Sequence, residues 1–366
     1  MRAMVLRNKQ LTLEDVDTPS PGEGQVLARV LACGVCGSDL HAARFMDEMI
    51  AASKASGRTA WDTIDPGKGM VMGHEFVAEV VEAGPGAEDW TPGTRVTSMP
   101  VLPDTNAPNG FYSIGYSPEK PGAYGEYVVL SASLLLKVQD GVADTIAATT
   151  EPCAVGLHAA RAGGMRDGES ALVMGAGPIG LMTLLWLKKD GVERVAVSDP
   201  SAERRALAGK LGADLVIDPA NEDVTATFNQ HFGDQEIDRG GAATGRSYGG
   251  GAREVRPSVV FECVGVPGTL QSAMELVQMR GRVVVAGVCM EEDRVRPMVG
   301  TNKQLNVSFV LGYSAAEYNE ALAALTDGSI DPSPMITRTV SLEELPDAFH
   351  ALSDPRECKV VLVPGQ

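Results

Sequence analysis

Residues 33 to 41 read CGVCGSDLH, placing two thiols, a hydroxyl, a carboxylate and an imidazole within nine positions. Two cysteines at C-x-x-C spacing suit half of a structural zinc knuckle, a redox dithiol, or a site in which only one cysteine matters. A catalytic zinc takes about three N, S or O donors from the protein and keeps a position open to substrate. GHEF adds His74 and Glu75, and EPCAVGLHA adds Glu151, Cys153 and His158. Cys36, His74, Glu75 and Glu151 are therefore candidate metal ligands, with Cys33 and Cys153 as possible alternates.

A second constellation is Gly175, Gly177 and Gly180 in GAGPIG, with Pro178 and Ile179 between the last two glycines. G-x-G-x-x-G after an apolar run (ALVM) and before a helical one is the pattern of a dinucleotide-binding turn. The first glycine makes the turn, the second admits the pyrophosphate and the third lets helix and strand pack closely. The helix N-terminus then offers free N–H groups to the phosphates. Asp199 ends the next apolar run, RVAVSD, where an acidic residue hydrogen-bonds a ribose 2′-hydroxyl and repels a 2′-phosphate, which favours NAD over NADP. The same aspartate also reads as the start signal of the following helix, and Arg204 lies within reach of the same ribose.

These groups need two kinds of scaffold. Residues 1–152 read as short β-runs separated by Gly/Pro turns, with one helix expected over 45–60. From 153 apolar strands alternate with helical stretches, which predicts a parallel sheet covered by helices, a doubly wound α/β unit, to about 310. Residues 311–366 give two helices and a last strand, KVVLVP, expected to fold back onto the first unit. The Gly-rich stretch 233–256 has no apolar period and reads as a surface loop, with a lid as its functional alternative. The chain of 366 residues is 44% hydrophobic and 22% charged, as in ordinary globular proteins. No apolar run is long enough to span a bilayer, and no secretory signal opens the chain. A net charge of −17 argues against a phosphate-backbone partner such as nucleic acid, which needs clustered Lys and Arg. The six cysteines are scattered rather than arranged as a disulfide framework, so a reducing cytoplasm is expected.

Together, CGVCGSDLH, GHE, EPCAVGLHA, GAGPIG, the Asp199 strand end and KVVLVP resemble the zinc-dependent medium-chain dehydrogenase/reductase family, which includes alcohol, sorbitol and threonine dehydrogenases. The resemblance implies a GroES-like β-barrel catalytic domain and a Rossmann NAD-binding domain. It implies Cys36, His74 and Glu151 as ligands of one catalytic Zn2+, with Glu75 behind the metal and able to exchange into its coordination. Asp39 would orient His74. Ser38 would take the proton of the bound alcohol, and His41 would carry it toward solvent. Val155 would pack near the nicotinamide, and Lys359 would sit near the cofactor and Glu75. A homodimer or homotetramer is implied, with NKQLNVSFVLG as the pairing edge.

The chain departs from the family in two places. No cysteine lies between 37 and 152, so the lobe that carries a structural zinc in many members is expected to hold none. The insertion within residues 45–70 lengthens the gap between Cys36 and His74. Phe45, Met46 and Trp61, with Phe111, Tyr112 and Tyr116, either line an apolar substrate pocket or cover the insertion's own small core. The reaction implied is hydride transfer between an alcohol and NAD, giving a ketone or aldehyde. The alternatives are a zinc-free NADPH quinone or enoyl reductase of the same fold, a dismutase-like enzyme that retains its NAD, or an NAD-binding protein without turnover.

Overall fold

The computed structural model describes residues 1–57, 64–65, 67–107, 110–233, 255–352, 354 and 356–365. Trp61 and nearly all of the Gly-rich stretch 233–256 lie outside them. The chain divides into two compact units, 1–152 with 318–366, and 153–317. The second boundary therefore falls after 317 rather than after 310. Strand Asn306–Phe309 completes the second unit's sheet, and the chain enters the first unit only within helix Ala315–Thr326. There the Tyr318 hydroxyl donates to the Ser98 carbonyl at 2.9 Å and meets the Thr97 hydroxyl at 2.7 Å.

The first unit is organised on strand Gln25–Gly34, whose Val26, Ala28, Val30, Ala32 and Cys33 are all buried. It pairs antiparallel with Glu75–Ala83, Tyr127–Ser131 and the last strand, Lys359–Leu362. The last strand is interior, since it also pairs in parallel with Ile336–Val340. Residue Gly34 stands opposite Glu75 on one side and Val361 on the other. This register places Glu75 and Lys359 beside the turn that leads into Cys36.

Helix formation begins earlier than the sequence suggests, at Gly37, and runs to Ala55 with non-helical backbone at Phe45 (φ −124°, ψ 33°). Gly, Ser and Asp are weak helix formers. Here Asp39 compensates, because its carboxylate accepts the Cys36 N–H at 3.0 Å and satisfies a donor that the first turn leaves free. Ser38, Asp39 and His41 thus lie on the first turns of one helix. Ala42 and Met46 on that helix join Ile64 and Met70 in the buried core, where they also border a small cleft beside Leu6 and Lys9, so Met46 serves the insertion's own packing.

The second unit carries six parallel strands in the order Leu215–Ile217, Arg194–Ser198, Ser170–Met174, Val259–Glu262, Arg282–Val285, Asn306–Phe309. This is the doubly wound order 3-2-1-4-5-6, with its switch point at the carboxyl end of Ser170–Met174. The central strands are buried at almost every residue, as a sheet covered on both faces requires. No helix of the described residues is long and apolar enough to cross a membrane.

Candidate metal centre and nucleotide cradle

Among the described residues, Cys36, His74 and Glu75 are the three metal-binding side chains whose donor atoms all lie within 4.8 Å of one another. Each is delivered by a different constraint. Cys36 caps the helix at 37, His74 ends the turn before strand Glu75–Ala83, and Glu75 opens that strand. Sulfur, nitrogen and oxygen donors at this spacing fit an ion with bonds of about 2.0–2.3 Å, after the small closure that coordination brings. The Glu75 carboxylate oxygens are buried without a hydrogen bond of normal geometry. Glu151 stands outside this trio, although it is buried on the helix that starts at Thr150 and its charge reaches Lys359 and Tyr318. Cys33 and Cys153 are also outside it. Cys33 is fully buried and faces the Gly34 carbonyl at 3.6 Å, and Cys153 is buried in the second unit.

Burial pushes the Cys36 thiol up, and the charge of Glu75 adds to the shift. Burial alone lowers the His74 imidazole, but Asp39 and then Cys36 together outweigh it and hold the ring well above its usual range. A divalent cation among these groups reverses both tendencies by stabilising the thiolate and a neutral imidazole.

Asp39 is wholly buried and accepts three hydrogen bonds, from the Tyr124 hydroxyl at 2.6 Å, the Cys36 N–H at 3.0 Å and the Tyr116 hydroxyl at 3.2 Å, with His74 Nδ1 as a fourth, looser charge contact at 3.4 Å. Burial opposes its charge, while His74, Tyr124 and the Cys36 N–H hold it below the usual carboxylate range. With Nδ1 turned to Asp39, Nε2 is the His74 nitrogen left to ligate.

The Ser38 hydroxyl donates to Cys36 Sγ at 3.1 Å and accepts from the Tyr116 hydroxyl at 2.7 Å. His41 is half-buried, its Nδ1 has no hydrogen-bond partner, and burial, helped by Arg44, lowers its pKa. Lys359 is 1% exposed, ion-paired with Glu75, and donates to the Val35 carbonyl at 3.1 Å. Its role within this unit is to neutralise Glu75 rather than to present a charge at the surface.

The nucleotide cradle lies in the second unit. Gly175 has φ +91°, and a Cβ on Gly180 would lie 1.9 Å from the Gly175 carbonyl, so both positions exclude side chains. Around Gly177 a Cβ would meet nothing within 4 Å, which leaves room for a phosphate. Pro178 and Ile179 begin helix Pro178–Lys189, and both are partly exposed at the turn. Asp199 is 4% exposed and accepts from the Ala176 N–H at 2.9 Å and the Ser201 N–H at 2.8 Å. Arg204 Nε is buried without a partner, and it is Arg205 that donates to the Asp199 carbonyl at 2.8 Å. Val155 is partly buried on the helix Thr150–Gly163.

Sequence reasoning missed Tyr124 and Tyr318, and left Tyr116 between a pocket wall and a cover for the insertion's small core. No spacing rule marks a tyrosine whose hydroxyl serves a distant carboxylate. The one available signal was Asp39 itself, which once buried needs more donors than its neighbours in sequence supply.

Residues 22–140 match the model for an alcohol dehydrogenase GroES-like domain, and residues 178–327 match that for a zinc-binding dehydrogenase. Sorbitol dehydrogenase of Homo sapiens is 30% identical over 361 residues, covering 96% of this chain and 92% of that protein. (R,R)-butanediol dehydrogenase of Bacillus subtilis is 29% identical over 366 residues, 98% of this chain and 97% of that one. The crystal structure of 2R,3R-butanediol dehydrogenase from Bacillus subtilis superposes with a TM-score of 0.80 at 26% identity, covering 99% of each chain. A zinc-binding dehydrogenase from Sinorhizobium meliloti 1021, bound to NADP, gives 0.79 at 27% identity, again over 99% of each. The chain belongs to the zinc-type medium-chain alcohol dehydrogenase family and is an oxidoreductase with a GroES-like and a Rossmann domain.

Gly34 tests the packing beneath this centre. A Cβ there would lie 2.1 Å from Glu75 Oε2 and 3.2 Å from Lys359 Cε. Gly34→Ala should destabilise the fold by about 1–3 kcal/mol through overpacking. Urea unfolding of the variant and the parent measures this, and equal midpoints would show that the Glu75–Lys359 pair relaxes freely.

Proposed function

We propose that this protein is an NAD-dependent, zinc-containing alcohol dehydrogenase that oxidises a secondary alcohol, with vicinal diols and polyols the first substrates to test. The observation that carries the reading is the Cys36–His74–Glu75 donor set with the Ser38 hydroxyl bonded to its sulfur. The sorbitol and butanediol dehydrogenases among its relatives support the substrate class. A zinc-free reductase of the same fold has no need of this donor set.

Cys36 and His74, completed by Glu151 or Glu75, would hold one zinc, which when bound supplies Lewis acidity toward an alcohol or carbonyl oxygen. NAD, held at the Gly175–Gly180 turn, would supply the hydride acceptor for the carbinol carbon, and the hydroxyl proton of the alcohol is left to the side chains of the first unit. Ser38 is placed to receive that proton, since it lies two residues beyond Cys36 and touches its Sγ. His41, on the next turn of the same helix, is half-buried with its Nδ1 left without a hydrogen-bond partner, and would pass the proton on from the Ser38 side. Asp39, 3.4 Å from His74 Nδ1, would favour a proton on that nitrogen. Lys359 balances Glu75, so the pocket holds less net negative charge when the cation enters.

The zinc content of the purified protein, measured with NAD reduction on a panel of aliphatic, cyclic, aromatic, diol and polyol alcohols, tests this reading. Near one zinc per chain and turnover on secondary alcohols are expected. Ser38→Ala should keep the metal and lose about 10²- to 10⁴-fold in turnover, the usual worth of one proton-relay group. Full turnover in that variant would remove Ser38 from the relay.

The carboxylate of Asp199 at the strand end supports NAD over NADP. Asp199→Asn removes the charge but keeps an acceptor for the Ala176 N–H. It should shift the ratio of kcat/KM for NAD over NADP by about tenfold toward NADP, the worth of one charged hydrogen bond. An unchanged ratio would place cofactor choice elsewhere.

We further propose a homo-oligomer paired along strand Asn306–Phe309, all four residues of which are exposed at the sheet edge. Phe309 is 72% exposed and Leu311 69%, more than a monomer's edge strand usually shows. Light scattering should report a dimer or tetramer for the parent and a smaller species for Phe309→Lys. A monomeric parent would end the proposal.

A further inference from the structure

The Ser38 hydroxyl is held by two hydrogen bonds of opposite direction. It has one proton, and that proton is directed at Cys36 Sγ, 3.1 Å away. Its oxygen accepts the Tyr116 proton at 2.7 Å. The same phenol reaches Asp39 Oδ1 at 3.2 Å, a longer contact. Asp39 does not depend on it, because Tyr124, the Cys36 N–H and His74 already serve the carboxylate. Ser38 has no such redundancy. The ring of Tyr116 is held in place by the His74 imidazole, with centroids 5.1 Å apart, and the residue is only 9% exposed. Burial, with the charge of Asp39 adding to it, pushes the phenol well above its usual range, so it remains a donor.

We propose that Tyr116 is a positioning residue that acts through Ser38, fixing its hydroxyl and polarising the Ser38–Cys36 Sγ hydrogen bond. The inference rests on the reading of Ser38 as the proton-handling group. In a chain of hydrogen bonds each donor strengthens the next. A phenol donating into Ser38 makes the serine proton a better donor to sulfur, and sulfur hydrogen bonding tunes the metal it ligates. It also confines the hydroxyl to one rotamer, so its free lone pair keeps a fixed direction for a substrate proton. Tyr116 comes from the lobe in which other family members place a cysteine-bound zinc, so the lobe contributes to the centre by a different route.

The test is a double-mutant cycle of Tyr116→Phe and Ser38→Ala with cobalt(II) in place of zinc, read by the thiolate-to-cobalt charge-transfer band and by steady-state kinetics. Tyr116→Phe should move the band to lower energy, because the sulfur becomes a stronger donor. Ser38→Ala should move it further, and the double variant should match Ser38→Ala alone. In turnover, Tyr116→Phe should lower kcat about tenfold with metal content and KM unchanged, and should add less than about twofold in the Ser38→Ala background. A Tyr116→Phe band identical to the parent's, or a shift of equal size with and without Ser38, would overturn the proposal and assign Tyr116 to Asp39. The band does not depend on any substrate. If no alcohol is oxidised, the reading of the reaction fails by itself while the spectra still decide the role of Tyr116.

Discussion

A carboxylate with no solvent exposure is tolerated only if nearly every lone pair is used. Asp39 meets that condition, and the rest of the centre follows from it. One oxygen takes Tyr124 and the Cys36 N–H, and the other takes Tyr116 and His74. Each of those bonds fixes a different part of the molecule. The bond to the Cys36 N–H starts the helix and so sets the direction of the thiol. The contact with His74 fixes a ring nitrogen and so the ring's orientation. The bonds to the tyrosines tie down the lobe between the strands. Losing the carboxylate would therefore release a helix cap, an imidazole and a lobe together, and one buried charge organises three segments that are far apart in sequence.

The second buried charge pair works by topology. Glu75 and Lys359 come from the start of one strand and from the last strand of the chain, and they meet because both strands flank Gly34. Only a residue without a side chain lets the pair close over that position. The ion pair thus records the return of the C-terminal segment into the first unit's sheet. Such pairs add little net stability when compared with apolar packing. Their value here is placement: a lysine ammonium under Glu75 limits the repulsion between that carboxylate and the Cys36 thiolate.

Much of this was legible in the sequence, for identifiable reasons. The nucleotide turn was legible because the requirements on Gly175 and Gly180 are local: a left-handed backbone at one and a carbonyl in van der Waals contact at the other. The doubly wound sheet was legible because fully buried strands are continuous apolar runs. The helix start was misplaced to 45 because propensity is poor at 37–39, and what overrides it is a side-chain cap whose carboxylate is itself held by residues some 80 positions away. The second domain boundary was placed early because the last parallel strand ends at Phe309, while the first turn of the helix that follows, Ala315–Thr326, still belongs to the second unit. Met46 and Tyr116 were left between a pocket lining and a cover for the insertion's own core, because composition alone does not separate the two. Side-chain direction, which composition does not carry, sends one into the core and the other onto Ser38.

The lobe between residues 99 and 125 shows how the same scaffold can be held without its usual cross-link. With no cysteine there, the segment is secured by apolar burial of Leu102 and Ile114, and by backbone bonds from Gly122, Ala123 and Tyr124 to residues 71–73, just before His74. Its two tyrosine hydroxyls then reach Asp39. A metal held by four thiolates stabilises a lobe independently of its surroundings. Tyrosines donating into a buried carboxylate do not, because their bonds count only while that carboxylate is charged and in place. Lobe and centre are therefore energetically coupled in this chain: whatever orders the Cys36–His74 pair orders the lobe, and a lobe that opens takes two of the four partners of Asp39 with it.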